Sequence, residues 1–271
     1  MKKATSYLSL VLVSLIIVFI CSSCATSTPE IKIHYLGHSA FVLEFDNDVT
    51  VVTDYGNENA WAEWGWDDPI ASLNDLVPDV MTFSHTHHKD HYDPARIPEG
   101  VKHILTGTDT LSIDGLSITP IRVCEADVNN EDNSAFLFEY KGLTILHLGD
   151  AQAQIQNIND STVAAHIREI IPGDLDLLFM TIDGPKPLGA AAETFVDAVH
   201  PRRVIPMHYW TDECLSKFIS NCRSKKSEGK SYSFEEPGGP VYSLFSSDEV
   251  DPVRVLILEP AEYSLETEIE N

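Results

Sequence analysis

Residues 84–93 read SHTHHKDHYD, with four histidines and two aspartates in ten positions. Imidazole nitrogen and carboxylate oxygen are the donors that zinc and related first-row cations take. His85 and His87 stand two apart at the end of the apolar run DVMTFS (79–84). On an extended backbone such a pair projects to one side and can hold one cation. Asp90 and His91 are adjacent, point in different directions and can serve a neighbouring position. A single histidine in such a place is more often structural than a ligand, but four within seven positions after a buried strand reverse that balance. Asp150 ends ILHLGD and His208 follows VIPM, each just past an apolar run. A buried carboxylate in such a position needs a partner.

The elements that must carry these residues are mostly strands. IKIHYL and AFVLEF alternate and are joined by Gly37, His38 and Ser39; DND at 46–48 turns into VTVVTDYG. Further strands are expected at VKHILTG, LSITPIRV, SAFLFEY, LTILHLG, LDLLFMTI and RRVIPMHYW. Helices are expected at 161–171, with Ser161 as N-cap, at 190–200 and at 212–224. Strands dominate first and strand–helix alternation follows, which predicts an α+β or α/β domain of mixed sheets covered by helices. Trp61, Trp64 and Trp66 fall in an aperiodic acidic segment and either line a groove or cover the edge of the core.

The chain of 271 residues, 43% hydrophobic, is long enough to bury a substantial core. Its first 24 residues are set apart: Lys2 and Lys3 precede an apolar run from Leu8 to Ile20, then CSSC. This is a secretory signal pattern, and SSC ending at Cys24 resembles a bacterial lipobox. Cleavage would leave Cys24 as a lipidated first residue, residues 25–30 as a tether and 31–271 as the catalytic domain. The protein is thus expected to be exported and membrane-anchored, facing the periplasm or cell exterior. Cys214 and Cys222 lie on one predicted helix, roughly 12 Å apart at 1.5 Å per residue, too far for a disulfide. The formal net charge of −24 speaks against a nucleic-acid partner, and the basic run RSKKSEGK (223–230) reads as a solvated loop.

HYLGHSAFVLE (34–44), Asp54 in VVTDYG, SHTHHKDHYD, NSAFLFEYKGLTILHLGD (133–150), LDLLFMTIDG (175–184), HPRRVIPMHYW (200–210) and VLILEP (255–260) together resemble the metallo-β-lactamase superfamily. The likeness is greatest to metal-dependent hydrolases such as ascorbate-6-phosphate lactonase. It implies a four-layer αββα sandwich with the metals at one edge between the sheets. It also implies that His85 and His87 hold a first metal, that Asp90, His91 and His208 hold a second, and that Asp150 bridges both. Counting from Asp79 fixes His85 and His87 in this register and leaves His88 as a surplus residue after them, on an exposed loop or supporting a ligand. The rival register would use Thr86, His88, Asp90 and His91. Where the family has a third histidine on the first metal, this chain has ITPIRVCEAD (118–127); Glu125 takes that place, with Cys124 one position earlier. His147 reads as a core residue and His38 as a turn residue, while His34, His103, His166 and His200 read as structural.

The resemblance implies a hydrolase in which a metal-bound hydroxide attacks a small ester, lactone, amide or phosphodiester. Asp150 would position the metals, and Asp90 would orient the nucleophile as well as bind. The cofactor would be one or two zinc ions, with manganese or iron as alternatives. A metal-binding or sensor protein of weak catalytic power on the same fold is the competing expectation. Substrate identity and oligomeric state are not encoded in these motifs; Tyr209 and Trp210 are candidates for an aromatic wall.

Overall fold

The computed structural model describes residues 29–57, 70–171, 173–183, 188–225, 232–245 and 253–263. The leader with Cys24, and Trp61, Trp64 and Trp66, lie outside the described residues. β1 (Ile31–Gly37), β2 (Ala40–Phe45) and β3 (Thr50–Thr53) form an antiparallel meander, with β4 (Val80–Thr82) and β5 (His103–Leu105) added in parallel. β6 (Leu111–Ile113), β7 (Leu116–Val123), β8 (Asn133–Tyr140) and β9 (Leu143–His147) form the antiparallel half of a second sheet. Its parallel half consists of β10 (Leu177–Thr181), β11 (Arg203–Met207), β12 (Tyr232–Glu235) and β14 (Val253–Leu256). β13 (Val241–Leu244) returns to the first sheet beside β1. The sheet orders are β13-β1-β2-β3-β4-β5 and β12-β14-β11-β10-β9-β8-β7-β6.

The helices are α1 (Gln152–Gln156), α2 (Ser161–Ile170), α3 (Ala190–Val199) and α4 (Asp212–Lys225). They fill the crossovers β9 to β10, β10 to β11 and β11 to β12, which step along the sheet in one direction. Right-handed crossovers therefore place them together on its outer face, and α3 touches α1, α2 and α4. α2 is capped by Asp160 rather than by Ser161. The Asp160 carboxylate accepts from Thr162 N at 2.8 Å, and its extended backbone suits a cap. The run at 223–230 is also not wholly a loop, because residues through Lys225 continue α4.

The core lies between the sheets, where Phe41 on β2 meets Phe179 on β10 with ring centroids 4.4 Å apart. Strand alternation turns Phe41 and Leu43 inward, while Ala40 and Val42 face the opposite side of the first sheet. There they pack with Val52, Met81, Phe83, Ile70, Leu73 and Tyr263. Among the described residues this outer layer is coil and one 3-10 turn, Pro94–Arg96. Pro78, Pro94, Pro98 and Gly100 interrupt helix formation across that stretch. The molecule is otherwise the mixed α/β two-sheet sandwich that the sequence predicts.

Candidate metal centre

The ends of β1, β4, β9, β10 and β11 meet at one edge of the sandwich. The hairpin tip between β1 and β2 and the end of β11 are bonded across the sheets, His208 N donating to His38 O at 3.0 Å. Ser134 N on β8 likewise donates to Ser84 O beyond β4 at 2.8 Å. Three residues at this edge, His38, Asp54 and His208, hold positive φ of 51°, 37° and 54°. Such backbone costs on the order of 1 kcal/mol each in non-glycine residues and gathers at functional sites. Two glycines permit the close approach. A Cβ on Gly149 would stand 2.3 Å from the Ser84 Cβ, and one on Gly56 would stand 2.0 Å from the Asp90 carbonyl oxygen. The loop after His85 is thereby seated on residues 56 and 57, with Asn57 N donating to Lys89 O at 2.7 Å.

Three histidines are held by one ring nitrogen and present the other to a common space. His91 Nδ1 donates to Asp54 Oδ2 at 2.9 Å, and Asp54 Oδ1 accepts from Ser84 N at 2.6 Å. His85 Nδ1 lies 3.2 Å from Asn133 Oδ1, and His208 Nδ1 donates to the Asp183 carbonyl at 3.1 Å. These acceptors place the proton on Nδ1, so each Nε2 is left as the ligating atom. His85 Nε2, His208 Nε2, Asp150 Oδ1 and Glu125 Oε2 are buried atoms without a hydrogen bond. Such orphans are rare in a folded protein and mark an absent ion or water. His147 shows the contrast: its Nε2 donates to Ser39 O at 2.9 Å and its Nδ1 accepts from Gly149 N at 3.2 Å, so both nitrogens are used.

The donors form two adjoining groups. His38, Asp90, His91 and His208 are all buried and bring one ligand atom each within 4.8 Å of the others. His85, His87, His88 and Glu125 do the same on the open side. The groups touch through His85 and His91, whose ring centroids are 4.3 Å apart. Asp150 sits between, its Oδ2 3.4 Å from His208 Nε2, within electrostatic reach of His91 and His85.

The structure thus gathers every residue proposed from the sequence, His85, His87, Asp90, His91, Glu125, Asp150 and His208, and adds two. His38 is more than a turn residue: its Nε2 lies 3.3 Å from His91 Nε2 and 3.5 Å from Asp90 Oδ2. His88 lies against the donors rather than on a free loop, its Nδ1 3.4 Å from Glu125 Oε1. Thr86 is exposed and belongs to neither group. Of the pair offered at 124 and 125, only Glu125 reaches the histidines. The Cys124 backbone N–H donates to Gln154 Oε1 at 2.6 Å, and Ala153 N on α1 donates to Glu125 O at 2.9 Å, so the start of α1 sets the direction of this segment. α1 itself, five residues long, is too short to show a helical period.

The electrostatics suit a cation. Burial raises the Asp150 carboxyl, but His208, His91 and His85 outweigh it and hold the group well below the usual carboxylate range. Burial likewise opposes ionisation of Asp54, yet the charge and hydrogen bond of His91 hold it at about 2. His85 is pushed down to about 3 by burial and by His91, and is therefore neutral. His91 is raised, because Asp54 and Asp90 overcome its burial. Glu125 is pushed up to about 8 by burial and by Asp150. Buried carboxylates crowd this edge of the sandwich, where a metal ion would supply positive charge.

Residues 32–208 match the beta-lactamase superfamily domain. No curated protein sequence matches the chain. Among solved structures, a candidate zinc-dependent hydrolase of the metallo-β-lactamase superfamily from Thermotoga maritima is 23% identical at a TM-score of 0.54, covering 84% of this chain and 100% of its own. Igni18, a metallo hydrolase from the archaeon Ignicoccus hospitalis, is 17% identical at 0.52, covering 86% and 96%. CmlA, a diiron β-hydroxylase from Streptomyces venezuelae, is 15% identical at 0.50, covering 75% and 52%. At such identities the likeness is one of fold, and the family match over most of the described chain carries the assignment. This chain belongs to the metallo-β-lactamase superfamily.

Proposed function

We propose that the protein is an exported, lipid-anchored hydrolase that uses one or two cations, zinc in the first instance, on a small ester, lactone, amide or phosphodiester. The observation that supports this is the convergence of His85 Nε2, His208 Nε2, Glu125 Oε2 and Asp150 Oδ1, buried without hydrogen bonds, on one edge of the sandwich. His85, His87 and Glu125 would hold a first cation; Asp90, His91 and His208 a second; Asp150, 3.4 Å from His208 Nε2, would bridge the two. Cations there supply a water nucleophile at neutral pH and Lewis-acid polarisation of the scissile group.

The chain's own residues do the positioning. Asp54, Asn133 and the Asp183 carbonyl fix the orientation of His91, His85 and His208. Asp150 and Asp90 are buried carboxylates at the reacting centre, where they would position the cations and the groups bound to them. The Trp210 ring stands 5.1 Å from His38 and 5.6 Å from His208, walling the buried group with an aromatic face. The acidic surface disfavours a nucleic-acid substrate. The leader supports export and an anchor at Cys24. Among the described residues no helix is long and apolar enough to cross a membrane.

The test is metal content and turnover of the purified protein on lactone, ester and phosphodiester panels, with and without chelator. Metal-stimulated hydrolysis lost in His208→Ala is expected. A folded protein with substoichiometric metal and no stimulated turnover would overturn the proposal. A second reading, a sensor holding one cation, is favoured by the burial contrast between the two groups. It predicts one equivalent that survives His85→Ala.

A further inference from the structure

We propose that His88, the surplus residue of the histidine-rich loop, is a ligand of the first cation, completing a three-imidazole, one-carboxylate set with His85, His87 and Glu125. This rests on the reading of the site as metal-binding. The geometry is that of a shared centre. The Glu125 carboxylate is ringed by three imidazoles: His87 Nε2 lies 2.8 Å and His85 Nε2 3.9 Å from Oε2, and His88 Nδ1 lies 3.4 Å from Oε1. The 2.8 Å approach is not aligned as a hydrogen bond, since Oε2 has none, as expected of two donors aimed at a third point rather than at each other. The three rings stand together, with centroids 4.5 Å apart for His85 and His87, 5.4 Å for His85 and His88, and 4.5 Å for His87 and His88.

The donor set decides what would sit there. Three imidazole nitrogens and one carboxylate oxygen, all within 4.8 Å of one another, are a donor set that would suit zinc or another first-row cation. Without His88, the first group would offer two imidazoles and a carboxylate. The added residue therefore supplies an imidazole on the same half of the site where Glu125 stands in place of one. The insertion and the substitution compensate each other. His87 and His88 also lie on the open side, so this site exchanges with solvent more readily than the fully buried group of His38, Asp90, His91 and His208.

The experiment compares the full-length protein with His88→Ala and His88→Gln, using zinc competition against a chromophoric chelator and the visible absorption of the cobalt-substituted forms. Thr86→Ala, an exposed neighbour, serves as control. Two equivalents are expected in the wild type. In both His88 variants one equivalent should weaken by at least the roughly 10- to 100-fold that loss of a mere supporting partner costs, with an altered visible cobalt absorption for that equivalent. Far-ultraviolet circular dichroism confirms that the variants fold, and the glutamine variant serves where alanine does not. Two equivalents at wild-type affinity with an unchanged cobalt spectrum in either folded variant would overturn the role of His88 and leave the proposed hydrolase standing. A wild type that binds no metal would overturn both.

Discussion

Replacing Asp54 by asparagine keeps the side-chain volume and removes one charge from behind His91. The carboxylate is 1% exposed and is held at about 2 against an ordinary 3.8. A depressed carboxylate stabilises the fold fully above its unfolded value, and the contribution is lost as pH falls from about 3.8 through about 2. The shift corresponds to about 2 kcal/mol at neutral pH, which agrees with the roughly 1.5–3 kcal/mol of a hydrogen bond to a charged group. The raised His91 reports the same ion pair and is counted once. Asp54→Asn should therefore lower the stability of the metal-free protein at pH 7 by about 2 kcal/mol, a difference that shrinks in acid. It should also weaken cation binding about 10- to 100-fold, because His91 loses the partner that fixes its Nδ1 proton. Urea denaturation of the stripped protein and chelator competition measure the two effects. A folded variant with wild-type affinity would refute the argument that Asp54 orients a ligand.

Gly149→Ala should cost about 1–3 kcal/mol and reduce metal content, since φ is 58° and the new methyl would meet Ser84 at 2.3 Å beside Asp150; thermal melts and metal analysis check this. Glu125, pushed up to about 8, is protonated at neutral pH, so a cation entering the first group displaces its proton. Apparent affinity there should rise about tenfold per pH unit up to about 8 and then level, and Glu125→Gln should remove the slope; titrations between about pH 6 and 9 read it. In the metal-free protein the same raised group favours the fold below about 4.5, and that contribution is lost as pH rises through about 8. Phe41→Ala, which empties the contact with Phe179 between the sheets, should destabilise by about 3–5 kcal/mol in urea.

The strands that carry the site were legible because their apolar runs end abruptly in polar donors, as at Thr82–His85, His147–Asp150 and Met207–His208. Burial on both faces makes such runs nearly continuous, and the periodicity of α2, α3 and α4 was equally plain. β12 and β13 are not legible, because they are four residues each with PGGP between them, and β13 pairs with β1 at the other end of the chain. His38 was read as a turn residue for a good local reason, its left-handed conformation at a hairpin tip. Only the docking of the second sheet, which brings His208 to it, reveals its other face. Counting along a strand leaves His88 surplus, yet the loop is not a strand. The chain bends there over Gly56, and side chains that alternation would separate converge on Glu125.

The two donor groups differ in how far apart their members lie along the chain. His85, His87 and His88 are neighbours in any conformation, so the unfolded chain also competes for a cation there. His38 reaches His91 only once the first sheet has formed, and His208 only after the second sheet has docked on it. Ligand stabilisation depends on the difference in affinity between folded and unfolded chains. Whatever a cation contributes to the fold would therefore be larger in the buried group, because three of the four donors of the open group already lie together in the unfolded chain and only Glu125 is brought to them by folding. The two sites would then differ in thermodynamic office as well as in exposure: one locks the sandwich shut, and the other leaves its cation free to be exchanged.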